Sequence, residues 1–349
     1  MASAKILAWN CRGLGNSMTL AELKKLLRIH TPQLLFLSES KRTVAEMDRI
    51  RLELGFSNCF AVGSNGRSGG LAMLWNEEVQ VQLLSYSLTH IDMEIQDLTN
   101  TRWRVTGFYG QPDASRRHES WALLKSLKSS SSLPWVCVGD FNEIVKQAEK
   151  MGGNSRSERQ IESFCEAIEY CGFSELDFKG PRFTFVRKQQ GSLLRERLDR
   201  VLMNRAWAEQ FPGSISHHLP TIQSDHSAIL LSAQRNLPRI GRTRMKQFRF
   251  ENYWLQDTEC EAVVKEAWQQ EVGTTVMDNV LGKMHRCRDL LSDWNAHKYG
   301  NIPERIKMLQ FDLQQVQDGS ASDCSLDHFE AVEKELRDLQ KQEEVYWKQ

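Results

Sequence analysis

The stretch Pro220-Thr-Ile-Gln-Ser-Asp-His-Ser-Ala-Ile-Leu-Leu231 sets Asp225 and His226 at the mouth of an apolar run fit for a buried strand. Ionisable groups placed against a core are costly unless they are paired or used. The same arrangement recurs along the chain. KILAWNCRG places Asn10 just after an apolar run, QLLFLSES places Glu39 likewise, RVTGFYGQP closes on Tyr109, and PWVCVGDFNEI closes on Asp140 and Asn142. FTF supplies Thr184, and RLDRVL sets Asp199 at the entrance of an apolar pair. One polar residue after a strand is ordinary turn chemistry, and Asp199 has Arg197 and Arg200 beside it as surface partners. A series of such sites points further, because strand ends on one rim of a sheet converge in space.

Working outward, the first two thirds of the chain alternate short strand-like runs with amphipathic segments such as Leu20–Leu27 and Ile161–Tyr170. The runs include Ile6–Trp9, Leu34–Leu37, Gly69–Trp75, Trp103–Tyr109, Trp135–Val138, Phe183–Val186 and Ala228–Leu231. Many short strands with occasional helices predict a layered α/β sandwich rather than a doubly wound sheet. GRSGG, at Gly66–Gly70, lacks a phosphate-loop pattern and reads as a hairpin turn. The character changes near residue 235, which bounds a first domain at 1–235. Residues 236–250 form a basic linker carrying Arg239, Arg242, Arg244, Lys246 and Arg249. Residues 251–349 read as helical, with a capping box at Thr258 and Glu261. One apolar face there comprises Val280, Met284, Cys287, Leu291 and Trp294, another Ile306, Leu309, Leu313 and Val316. Phe329, Val332, Leu336, Leu339 and Tyr346 follow coiled-coil spacing, suited to self-association or a protein partner.

The 349 residues are 40% hydrophobic and 26% charged, enough for a proper core. Net charge is zero, so no global field draws the chain to nucleic acid or membrane, and any such contact must be local. The eight cysteines form no CxxC pair and no zinc spacing, and they read as reduced core thiols. No apolar stretch reaches the ~20 residues of a membrane span, and no secretion signal precedes the first strand. The expectation is a soluble intracellular protein.

The strand-end residues make a coherent chemical set. Glu39 is a hard oxygen ligand suited to Mg²⁺. Asp140 is a second carboxylate able to orient or deprotonate water. Asn10, Asn142 and Tyr109 are neutral donors suited to a phosphate. His226 can donate to a phosphate oxygen if an acid holds its tautomer and charge, and Asp199 is the acid expected to do so. A metal, an oriented water and a cation around a phosphate describe a phosphodiesterase or phosphatase.

The ordered set WN, SES, GFYGQP, GDFN, FTF, RLDRVL and SDH resembles the endonuclease/exonuclease/phosphatase superfamily, which includes DNase I-like and abasic-site nucleases. WNCRGLG, RLDRVLMNRAW and FRFENYW look more closely like the endonuclease part of plant LINE-type (non-LTR) retrotransposon reading frames, with no reverse-transcriptase F/Y-x-D-D motif following. The resemblance implies a four-layered α/β sandwich, two packed sheets flanked by helices, followed by the helical extension. It implies Mg²⁺, or Mn²⁺, on Glu39 with Asn10 and with Asp225 nearby. Asp140 would orient the attacking water, Asn142 and Tyr109 would contact the scissile phosphate, and Asp199 and His226 would stabilise charge in the transition state. It implies DNA as partner and a nuclear location. Arg12 stands where some relatives carry an acid, and Ser40 follows Glu39 where Thr is commoner. Thr184 and the basic hairpin of Arg187, Lys188, Arg195 and Arg197 are the expected substrate contacts, the alternative being a solvated edge guarded by charge. A phosphatase or abasic-site nuclease of the same fold, or a non-catalytic nucleic-acid- or protein-binding remnant, is the rival reading.

Overall fold

The computed structural model describes residues 3–64, 66, 68–98, 100–129, 131–189, 191–235, 254–255, 257–269, 276–298, 302–318 and 326–348. Two mixed sheets dominate. The seven-stranded one runs, edge to edge, through Phe178–Lys179, Ile215–Leu219, Ala228–Gln234, Ser3–Asn10, Leu34–Ser38, Leu71–Trp75 and Asn58–Val62. The six-stranded one runs through Phe173–Glu175, Asp199–Asn204, Trp135–Asp140, Arg102–Tyr109, His90–Asp97 and Val79–Tyr86.

Alternate residues of the central strands serve opposite faces, which explains their unbroken apolar runs. Ile6, Ala8, Phe36 and Leu231 of the first sheet meet Val105, Val136, Val138 and Val201 of the second in one buried core. Leu7, Trp9, Leu35 and Leu37 face the other way, onto Leu23 and Leu26 of helix Ser17–His30 and Met47 and Ile50 of helix Val44–Leu54. On the far side, Phe108, Trp135 and Cys137 pack on Trp121 and Leu124 of helix Arg117–Lys128 and Phe164 and Ala167 of helix Glu158–Cys171. The layers are therefore helix, sheet, sheet, helix, as expected.

Strand direction creates the rim. Ser3–Asn10 and Leu34–Ser38 run parallel and end side by side, Asn10 opposite Ser38. Arg102–Tyr109 and Trp135–Asp140 do the same, Tyr109 opposite Asp140. The antiparallel neighbour of the latter begins there, with Asp199 opposite Asp140. Ala228–Gln234, antiparallel to the first strand, also begins at this rim, just after His226. A smaller sheet holds Lys150–Met151 and a hairpin of Phe185–Gln189 and Ser192–Glu196 turning at Gly191.

The chain divides into two compact units, one of residues 1–237 with 313–330, the other of 238–312 with 331–349. The basic linker lies outside the described residues. In the second unit Trp254, Cys260 and Leu291 form a small core with Val263, Val264, Cys287 and Trp294. Val280 and Met284, expected on that face, are exposed. Helix Thr258–Gln269 takes its cap one residue earlier than expected, Asp257 Oδ1 accepting from the Glu259 amide. Ile306, Leu309, Leu313 and Val316 are buried, as are Phe329, Val332, Leu336 and Leu339. Among the described residues no helix is long and apolar enough to cross a membrane, and the described cysteines are free thiols.

Candidate active site

Asp140 sits at the centre of the rim and is fully buried. Its Oδ2 accepts from the Asn10 amide at 3.0 Å and the Asn142 amide at 3.2 Å, and its Oδ1 accepts from the Asn142 backbone at 2.8 Å. Asn142 holds φ +56°, and its side chain also donates to the Gly110 carbonyl. Gly139 makes the turn possible. Its φ is +141°, and a Cβ there would stand 2.1 Å from the Phe108 carbonyl oxygen, so GDFN needs its glycine for space as well as conformation. Burial pushes the Asp140 carboxyl up to about 6, with Asp199 adding to the rise and His226 and the amides opposing it.

His226 Nδ1 lies 2.9 Å from Asp199 Oδ2, and Nε2 lies 3.7 Å from Asp140 Oδ2. Burial alone would lower the imidazole's pKa. Asp199 first, then Asp140 and Asp225, reverse this and carry it to about 10, so the ring is cationic at neutral pH. The His226 backbone carbonyl accepts from Trp9 Nε1 and from the Thr221 hydroxyl, and Ser224 Oγ donates to the Asn10 carbonyl at 2.7 Å. These bonds clamp the SDH loop onto the first strand.

Glu39 follows its strand with φ +51°. Its Oε1 accepts from Tyr109 Oη at 2.7 Å, and Asn10 Nδ2 is 3.5 Å away. Oε2 lies 3.7 Å from Lys41 Nζ on a side chain one fifth exposed. Burial opposes ionisation of Glu39, but the Tyr109 hydrogen bond and the charges of His226, Lys41 and Arg12 together hold it below the usual carboxylate range. Tyr109 is correspondingly raised, by burial first and then by Glu39 and Asp140, so it remains a neutral donor. The loop is braced by the Gly69 and Gly70 carbonyls, which accept from the Lys41 and Ser40 amides. GRSGG is thus more than a hairpin turn. Gly70 has φ +88°, and a Cβ would stand 2.5 Å from Ser40 Oγ.

Asp225 pairs directly with Arg12. Thr184, expected at the substrate, is fully buried, and its Oγ1 accepts from the Leu198 and Asp199 amides at 3.0 and 2.9 Å. It holds Asp199 in place. The basic hairpin also needs correction. Arg197 is buried between Glu149 and Glu175. Arg195 is buried too, donating to the Val316 carbonyl, and Lys188 pairs with Glu330 at 3.0 Å. Arg187 is exposed. Buried partners hold both inward, the Val316 carbonyl for Arg195 and the Glu149 and Glu175 carboxylates for Arg197.

Lys41 escaped sequence reasoning, although it lies two residues from Glu39. Arg156 did too. It grips Glu196 through two nitrogens at 2.8 and 2.9 Å and approaches the Asn142 carbonyl.

Together these residues offer ionised and neutral oxygen ligands, a buried carboxylate of raised pKa and a fixed imidazolium. The chain belongs to the Endonuclease/Exonuclease/phosphatase family, whose sequence profile matches residues 7–226. Among solved structures it is similar to the AP endonuclease LMAP from Leishmania major, at 16% identity over 67% of this chain and 88% of that one, with a TM-score of 0.54. It is similar to the 3'-5' exonuclease NExo from Neisseria meningitidis, at 18% identity over 66% and 100% of the two chains, TM-score 0.52. The endonuclease domain of TRAS1, a telomere-specific non-LTR retrotransposon, aligns at 12% identity over 67% and 100%, TM-score 0.48. At such identities the likeness is one of fold. No curated protein sequence matches the chain.

Proposed function

We propose that this chain hydrolyses phosphodiester bonds in DNA with the help of a divalent metal ion, as a nicking endonuclease of LINE-type retroelement ancestry, working in the nucleus. The supporting observation is the buried trio of Asp140, Asp199 and His226, whose ligand-type atoms lie within 4.8 Å of one another beside the Glu39–Asn10 pair. Such a trio can itself hold a metal. A ligating imidazole must be neutral, however, and His226 is cationic and bonded to Asp199. Glu39 suits Mg²⁺ better, since it is ionised and partly open to solvent, with the Asn10 amide beside it. A bound Mg²⁺ would offset the phosphate's charge and strengthen attack on it.

The chain's own groups do the rest. Asp140, with a pKa near the working pH, takes the proton of the attacking water as the water oxygen bonds to phosphorus, while the P–O bond to the leaving sugar oxygen breaks and that oxygen takes its proton from solvent. Asn10 and Asn142 hold its carboxylate in one orientation. His226, locked by Asp199, donates from Nε2 as charge builds on the phosphate. Tyr109 fixes Glu39 through its one hydroxyl donor, and the two amide hydrogens of Asn142 are held by Asp140 and the Gly110 carbonyl, so a scissile phosphate would gain either donor only by displacing these bonds. Arg187 on the hairpin contacts a flanking phosphate. The domain carrying this chemistry ends near residue 235.

The test is cleavage of supercoiled plasmid by the full chain, with Mg²⁺ or with EDTA, beside duplexes bearing an abasic site or a 3' phosphate. Nicking that EDTA and Asp140→Asn both abolish supports the reading. Action confined to the abasic or 3'-phosphate duplex would move the substrate to repair chemistry, and inertness towards all three would leave the non-catalytic remnant.

A further inference from the structure

Each charged carboxylate on the rim has its own cation except one. Asp199 pairs with His226 at 2.9 Å, Glu39 faces Lys41 at 3.7 Å, and Asp225 is bonded to Arg12. Asp140 is held mainly by the neutral amides of Asn10 and Asn142. Of these cations, Arg12 and the half-buried Lys41 differ in how firmly they are placed. Lys41 Nζ stands beyond hydrogen-bond distance of Glu39, so it can yield to a competing ion. Arg12 touches Asp225 directly, and its own backbone donates to Asn10 Oδ1 at 3.3 Å from a left-handed conformation, φ +50°. The Asp225 backbone is fixed as well, its carbonyl accepting from the Val186 amide. Asp225 Oδ1 is buried without a hydrogen-bond partner. A carboxylate in that state needs a cation close by, and the guanidinium supplies it.

We infer that Arg12 is a built-in counter-ion that occupies the place beside Asp225 and so limits the site to a single divalent ion, at Glu39. The inference rests on the metal reading of the site given above. Its physical basis is charge. One added divalent ion leaves the rim with a small positive excess, matched to one phosphodiester, while a second would meet Arg12 at the remaining carboxylate. Removing Arg12 frees Asp225 Oδ2 and leaves the carboxylate, with its buried Oδ1, without an ion pair, which is a ready place for a hard cation.

Mn²⁺ binding to the full chain, followed by the electron paramagnetic resonance of unbound ion, tests this without reference to activity. The wild type is expected to bind one equivalent. Arg12→Met should take up a second, and Arg12→Met with Asp225→Asn should return to one. Arg12→Lys keeps the charge and should stay at one, and Arg12→Gln serves as the second neutral variant. Lys41→Met should tighten the first ion several-fold without adding another. Two equivalents in the wild type, or one in both neutral Arg12 variants, would overturn the inference alone. No binding by the wild type would overturn the metal reading, and the role of Arg12 with it.

Discussion

The pairing of His226 with Asp199 makes two residues act as one. His226→Ala should lower kcat by ~10²–10³-fold with little change in DNA Kd, because donation strengthens as the transition state forms. Asp199→Asn should also be damaging, since an amide cannot stabilise the imidazolium. The double variant should fall far short of the multiplied losses. Single-turnover cleavage of a labelled duplex by the four proteins measures this, and multiplicative losses would detach Asp199 from His226. The pH profile follows from the same groups. Asp140 must be ionised to accept a proton, so activity should rise with pH through about 6. His226 must be charged to donate, so activity should fall as pH approaches about 10. A bound cation would pull both limbs to lower pH. Asp140→Asn should remove the acid limb together with most of the rate. At this scale the sequence named the central residues, because each follows an apolar run. It could not separate Thr184 the support from Thr184 the ligand, since a hydroxyl serves either, and only depth in the fold decides.

At the scale of elements, legibility followed burial. Trp135–Asp140 and Leu34–Ser38 are buried on both faces and read as strands directly. Val79–Tyr86 lies at a sheet edge with Gln80 and Gln82 exposed, and offers no unbroken apolar run. The hairpin at Gly191 was foreseen, but its inward arginines were not, because a buried Arg with an acidic partner is spelled like a surface one. Neutralising Arg187 should therefore reduce the slope of log K against log [salt] by roughly one unit, the release of one counterion. Neutralising Arg197 should instead lower the melting temperature, because the buried Glu149 and half-buried Glu175 would be left to share Arg200 alone. Fluorescence titration and thermal melts separate the two. The Glu39 loop offers a further check. Gly70→Ala combines an unfavourable φ with a collision against Ser40 Oγ, at a cost of roughly 1–3 kcal/mol. Denaturant melts should show that cost, and Mg²⁺ affinity should weaken with it.

For the whole molecule, every candidate catalytic residue precedes residue 227, so a chain ending at Gln234 should nick DNA at a similar rate per folded molecule. It should nonetheless melt at lower temperature, because Arg195 loses the Val316 carbonyl and Lys188 loses Glu330. A truncated protein of equal melting temperature would make those contacts incidental. A change of character near residue 235 was legible in the composition. The grouping of residues 313–330 with the first unit was not, because it depends on long-range contacts that no local pattern encodes.

The first strand of the domain pairs with its last, Ala8 opposite Ile229, and Trp9 reaches across to the His226 carbonyl. A chain being synthesised thus carries Asn10 and Glu39 out of the ribosome early, yet holds no cutting apparatus until nearly all of its first domain has emerged. Partners so distant in sequence meet slowly. A pulse-labelled translation series should therefore show phosphodiester cleavage switch on abruptly with chain length rather than build up by degrees.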